Sequence, residues 1–175
     1  MQLPLPMRVA VAVLAVPLVL PTVPHVADLV ASSVSGWKQK PEIVTDASGK
    51  WQAFGEADAA LAASGTVSLE LALAGVPLVS CYKLDPFARM VQRYIKIWSA
   101  SLPNLIADRT IVTEAYNQYV WPQWLARHME GLFADTGLRR WQKDGFAEVS
   151  RRMATGRPSG EIAAEIVMKA VGKRQ

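Results

Sequence analysis

Apolar positions along this chain fall into short solid runs, separated by stretches in which they recur every three or four residues. Runs of the first kind read as buried strands at residues 16–23, 42–45, 58–63 and 76–83, with a weaker one at 102–107. Between them, Val26, Leu29, Val30 and Val34 keep a helical spacing, and Gly36 is placed to end that helix. Trp51 and Phe54 mark a short helix after Ser48-Gly49, and residues 67–74 form a compact helix closed by Gly75 and Pro77. Asp85-Pro86 couples a capping residue to a proline at the first helical position. It predicts a helix over 86–98 that carries Phe87, Met90, Val91, Tyr94, Ile95 and Trp98. Beyond Pro122 the pattern is helical throughout, over 124–133, 137–153 and 159–171, with Gly172 after the last.

Strands that alternate with helices and carry apolar residues on both faces imply a parallel sheet covered on each side. With right-handed crossovers this is an α/β, Rossmann-like, doubly wound parallel sheet over residues 1–121, its amino-terminal part truncated. The carboxyl-terminal helices of 122–175 pack on it. The amino end, "MQLPLPMRVAVAVLAVPLVLPTVPHV", has Arg8 ahead of an apolar run, which invites a signal-peptide reading. The single arginine, the bracketing prolines and the lack of a small-residue cleavage site favour a helix end followed by a buried strand. The run is also shorter than the ~20 residues that span a bilayer.

Composition narrows the function classes. At 175 residues with 51% apolar and 19% charged positions, the chain fills a single globular core and is not disordered. A net charge of +4 without an extended Lys/Arg run gives no nucleic-acid footprint; it suits an anionic small molecule or an anionic membrane surface. The lone Cys81 sits in an apolar run, so the chain has neither a disulfide framework nor metal-ligand spacing, and a reducing compartment is expected.

The chemistry gathers in "ADAALAASGTVSLELALAGVPLVSCYK", residues 57–83, where Glu70 interrupts an apolar helix soon after a glycine. In a doubly wound sheet, ligands bind at the turns beyond the carboxyl ends of the strands. Gly65 lets the backbone turn tightly and approach a ligand without a Cβ in the way. Amides at the start of the next helix suit a phosphate, and Thr66 and Ser68 add hydroxyls. Glu70 can accept two hydroxyl donors from a diol, the arrangement of a nucleotide's ribose. The same residues also fit a plain N-cap with a glutamate completing a capping box, and spacing alone leaves both open.

This segment closely resembles the signature of the lipid-A-disaccharide synthases, glycosyltransferases of the two-domain B-type fold. "VLPTVPHV" upstream and "SLPNLIADRTIVTE" and "NQYVWPQWLA" downstream continue the likeness in order. The resemblance implies the second domain of that fold. It implies an inverting transfer of 2,3-diacylglucosamine from UDP to 2,3-diacylglucosamine 1-phosphate, giving the lipid A disaccharide, with no metal or other cofactor. Ser64, Gly65 and Thr66 would face the diphosphate and Glu70 the ribose. Ser101 and Asn104 would line the donor side, and Glu114 and Asn117 the rim. The chain departs from the family at Thr113, where proline is usual, and at Asn117, where glutamine is common.

The resemblance further implies a protein about twice this long, whose amino-terminal domain would hold the general base. The Leu-Pro-Gly-Ser-Arg segment that usually opens the second domain is also missing. The isolated chain is therefore expected to bind UDP weakly and not to turn over. It would act with a separate amino-terminal half or as a homodimer, in the cytoplasm, peripherally on the inner membrane of a Gram-negative bacterium. Arg89, Arg93 and Lys96, on one face of the 86–98 helix, would suit that surface or solvent equally. A non-catalytic, membrane-associated nucleotide-binding remnant and a UDP-sugar epimerase-like domain are the alternatives. His25 can reach the cleft or be structural. His128 reads as exposed, and Trp121, Trp124 and Trp141 read as packing residues.

Overall fold

The computed structural model describes residues 16–63, 65–84 and 97–172. Five short parallel strands form two sheets. β1 (Val19–Pro21) pairs with β2 (Glu42–Val44), and β3 (Ala60–Ala62), β4 (Leu78–Tyr82) and β5 (Thr113–Tyr116) run in that spatial order with β4 central. Registers place Val19 beside Glu42, Ala60 beside Leu78, and Val79 beside Thr113. Seven α-helices are described: α1 (Ala27–Val34), α2 (Ala47–Glu56), α3 (Thr66–Leu73), α4 (Leu102–Ala107), α5 (Pro122–Phe133), α6 (Gly137–Met153) and α7 (Ser159–Gly172). This is the expected α/β, Rossmann-like domain. The expected helix over 86–98 falls largely outside the described residues, as does the start of the chain to residue 15.

Local chemistry sets most helix starts. Asp46 caps α2 by accepting the Gly49 amide at 2.8 Å, one turn earlier than the Trp51 and Phe54 pattern alone suggests. Pro122 opens α5 at a position where its missing N–H costs nothing, and the Thr136 hydroxyl caps α6 by accepting from the Arg139 amide at 3.2 Å.

Two expectations for the second half change. Residues 102–107 form helix α4, not a weak strand: Pro103 sits in its first turn, and Pro103, Asn104 and Ala107 are buried where α4 packs on α3 and α6. The strand at that level is β5, "TEAY", whose polar composition hides it. It forms because β4 has an open side to pair.

Strand β4 shows why apolar residues occupy both faces. Successive side chains point to opposite sides of a sheet. Leu78, fully buried, joins Phe54, Ala62, Leu71, Val76, Ile111, Val112, Phe146 and Val149 on one side, where α3, α4 and α6 lie. Val79 packs on the other side with Met129 and Leu132 of α5, against which Trp124 and Leu125 also press. Each such buried aliphatic side chain contributes about 1.5–3 kcal/mol through removal from water. Helices α5 and α6 thus supply core that the strands need.

A buried polar contact completes this junction. Pro77 offers its carbonyl to the Ala60 amide of β3, so the next residue, Leu78, turns its own amide and carbonyl to the opposite side of β4. Strand β5 reaches that side only from Val79 onward. Gln142 of α6, fully buried, fills the gap: its Oε1 accepts from the Leu78 amide at 2.8 Å and its Nε2 donates to the Leu78 carbonyl at 2.9 Å.

Candidate functional site

The three parallel strands β3, β4 and β5 present their carboxyl ends at one edge, and the segments leaving that edge hold nearly all the candidate residues. Ser64 lies outside the described residues. Gly65 has φ 122° and ψ −154°, a region open to glycine almost alone. Among the described residues a Cβ there would meet nothing within 4 Å, so the requirement is conformational. Thr66 begins α3 on the exposed surface, and the N-cap residue of this helix, Gly65, has no side chain with which to cap it. Ser68 is fully buried, and its hydroxyl donates to the Gly65 carbonyl at 2.7 Å, holding the turn closed from beneath.

Glu70 stands at the fifth helical position, past the reach of a capping box, which removes that reading of the charge. Its carboxylate is bridged by the Lys50 ammonium of α2, with Nζ 3.0 Å from Oε1 and 3.2 Å from Oε2. Both side chains stay about one third exposed, so the carboxylate keeps an open side.

A second group is tied together beneath the edge. Glu114 of β5 accepts from the Ser99 hydroxyl at 2.5 Å and from the Ala100 amide at 3.1 Å. The Asn104 amide nitrogen donates to the Val112 carbonyl, Ser99 Oγ and Glu114 Oε2 at 3.0, 3.2 and 3.3 Å. Its oxygen accepts the Ile111 and Val112 amides, both at 2.7 Å. Asn104 is 1% exposed and Ser101 fully buried. The Asn104 side chain therefore holds the segment entering β5 and also contacts Glu114 directly. Asn117, at φ 53°, accepts the Leu84 amide on Oδ1 at 3.0 Å and so links the segments that follow β4 and β5. Beside it, Tyr82 stacks on Tyr116, and burial together with the Glu114 charge pushes the Tyr82 phenol pKa up. Burial likewise raises the Cys81 thiol.

The other singled-out side chains are less central. His25 is exposed in a single 3-10 turn after β1. His128 is half-buried, not exposed, with Nδ1 2.9 Å from the Trp124 carbonyl and its ring stacked on that indole. Trp124 packs as expected, whereas Trp121 is largely exposed and Trp141 lies under the Arg109 guanidinium at 4.4 Å. Reading the sequence missed Lys50 and Ser99. Lys50 lies 20 residues before its partner on another helix, and Ser99 in "WSAS" belongs to no pattern that marks it.

A sequence profile of the family described as lipid-A-disaccharide synthetase matches residues 16–166. Among relatives named lipid-A-disaccharide synthase, that of Nitrobacter winogradskyi is 40% identical over 155 residues, which is 87% of this chain and 39% of that protein. The one from Nitrobacter hamburgensis is 41% identical over 86% of this chain and 39% of its own length. The one from Rhodospirillum centenum is 39% identical over 89% and 39%. The chain spans about two fifths of the length of these curated relatives. With a match over most of its residues, the chain belongs to the lipid-A-disaccharide synthetase family.

Proposed function

We propose that this chain is the nucleotide-binding part of a lipid-A-disaccharide synthase. In that role, residues 1–121 grip the donor, and of the carboxyl-terminal part 122–175 it is α5 and α6 that brace them. The diphosphate of a UDP-sugar would lie against the Gly65–Thr66 backbone at the glycine-started end of α3, where the helix carries partial positive charge. Glu70, one turn further along, would accept the ribose hydroxyls. Glu114 and Asn117 would shape the neighbouring rim, while Ser68 and Asn104 hold the loops in place. The observation that carries this reading is the glycine-only backbone at Gly65 opening a helix that carries a carboxylate about one third exposed, Glu70.

The whole enzyme's reaction would be inverting transfer of a diacylated glucosamine from UDP to a lipid monosaccharide 1-phosphate. The general base and an arginine against the leaving diphosphate would come from sequence that precedes this part. Such positioned groups contribute about 10²–10⁴-fold in rate, and charge stabilisation often more. The 175-residue chain alone would thus bind UDP without forming disaccharide. A peripheral place on the inner membrane fits the lipid substrates; among the described residues no helix is long and apolar enough to cross a membrane.

Titration calorimetry with UDP, comparing wild type with Glu70→Ala, tests the site. A roughly tenfold loss of affinity is expected for removing a charged acceptor of hydroxyl donors. Unchanged affinity would refute the ribose role. Co-expression with the amino-terminal portion of a related synthase should restore disaccharide formation.

A further inference from the structure

We infer that Lys50 is a positioning residue for nucleotide recognition: it holds the Glu70 carboxylate in the orientation that receives the ribose diol. The inference rests on the UDP reading given above. One ammonium contacts both carboxylate oxygens, at 3.0 and 3.2 Å, which fixes the carboxylate plane as a contact to a single oxygen would not. Each oxygen has two acceptor directions, so one remains on each for a hydroxyl donor. The side-chain exposures, 29% for Lys50 and 34% for Glu70, leave that outer side accessible.

Lys50 itself is seated. Its Nζ lies 5.0 Å from the Trp51 ring centroid and 5.9 Å from that of Phe54, and Phe54 belongs to the buried core. An aromatic face attracts a cation, so the ammonium is held by the rings as well as by the carboxylate. The pair also joins the two helices that flank β3, α2 before it and α3 after it. A glutamate without this partner would have to lose rotamer freedom at the moment of binding; here that freedom is already reduced. An ordinary surface ion pair would do nothing further, so the decisive quantity is discrimination between ligands, not stability.

The test compares UDP with 2′,3′-dideoxy-UDP by titration calorimetry of the 175-residue chain at fixed low salt, where an exposed pair is least screened. Wild type should favour UDP by about tenfold or more, the worth of hydrogen bonds to a charged acceptor. Lys50→Met and Lys50→Gln should each reduce that preference to about twofold, and Lys50→Arg should keep most of it. If Lys50→Met and Lys50→Gln lower the thermal midpoint but retain the full preference, the pair is only a structural brace and the inference is overturned. If Glu70→Ala abolishes the preference while the Lys50 variants preserve it, Lys50 alone is misassigned and the UDP reading stands. Should wild type show no preference, or no UDP binding, the nucleotide reading fails and takes this inference with it.

Discussion

The Gln142 contact offers a sharp test of how the terminal helices and the sheet depend on each other. Replacing Gln142 with leucine keeps nearly the same volume, so no cavity forms and the loss isolates hydrogen bonding. Two buried backbone groups of Leu78 would then lack their partners, each at a cost of about 1–3 kcal/mol. Burying an apolar side chain in place of an amide offsets part of this. The expected net loss is about 2–4 kcal/mol, or a drop of roughly 5–12 °C in midpoint for a chain of this size. Denaturant unfolding followed by tryptophan fluorescence, with hydrogen exchange at the Leu78 amide, measures both the total and its origin.

Gln142→Glu sharpens the test. A carboxylate can still accept the Leu78 amide but sets its second oxygen against the Leu78 carbonyl, whereas the protonated acid can donate there. Burial and that carbonyl raise the folded-state pKa, so the variant's stability should be greatest in acid and fall as pH rises through that value. A Gln142→Leu protein within about 0.5 kcal/mol of wild type would refute the reasoning, because surface substitutions without any special contact already reach that level.

Gly65→Ala should destabilise by about 1–3 kcal/mol through backbone strain at φ 122° and weaken UDP binding; denaturant melts and calorimetry measure the two effects. Gly145→Ala sets a gain in helix propensity of about 1 kcal/mol against a clash, since the new Cβ would lie 2.5 Å from Cγ2 of buried Ile111. Overpacking of about 1–3 kcal/mol should win, giving a lower denaturation midpoint. Glu148 receives the Arg109 Nη2 at 2.9 Å and the Arg152 Nη2 at 2.6 Å. The Arg109 hydrogen bond foremost, then the Arg152 charge, holds its carboxyl below the usual glutamate range against some desolvation. Its depressed folded-state pKa means stability present above the unfolded value and lost as pH falls through the folded one, so Glu148→Gln should flatten the acid limb of the stability profile, read by denaturant melts as pH falls below the ordinary glutamate range.

Much of the architecture was legible because it depends on local rules. Runs near β1 to β4 are apolar on both faces, and the turn residues between them are glycine, proline or capping side chains. The failures lie where neighbours outvote local preference. Six residues starting at Leu102 carry too short an apolar pattern to separate helix from strand, and burial against α6 decided for helix. "TEAY" looks like loop until β4 is there to pair it. At the site, Gly65 was readable because its conformation is a property of one residue. The partners of Glu70, Asn104 and Glu114 were not, since each lies on another element.

By itself, then, the amino-acid sequence determined the alternation of strands and helices, the glycine turn and the family likeness, all carried by residues close together along the chain. Only the tertiary structure decided that Lys50 meets Glu70, that Asn104 binds the approach to β5, and that Gln142 completes β4. Hydrogen bonds and ion pairs form over about 3 Å, and no periodicity records which distant positions folding will bring that close.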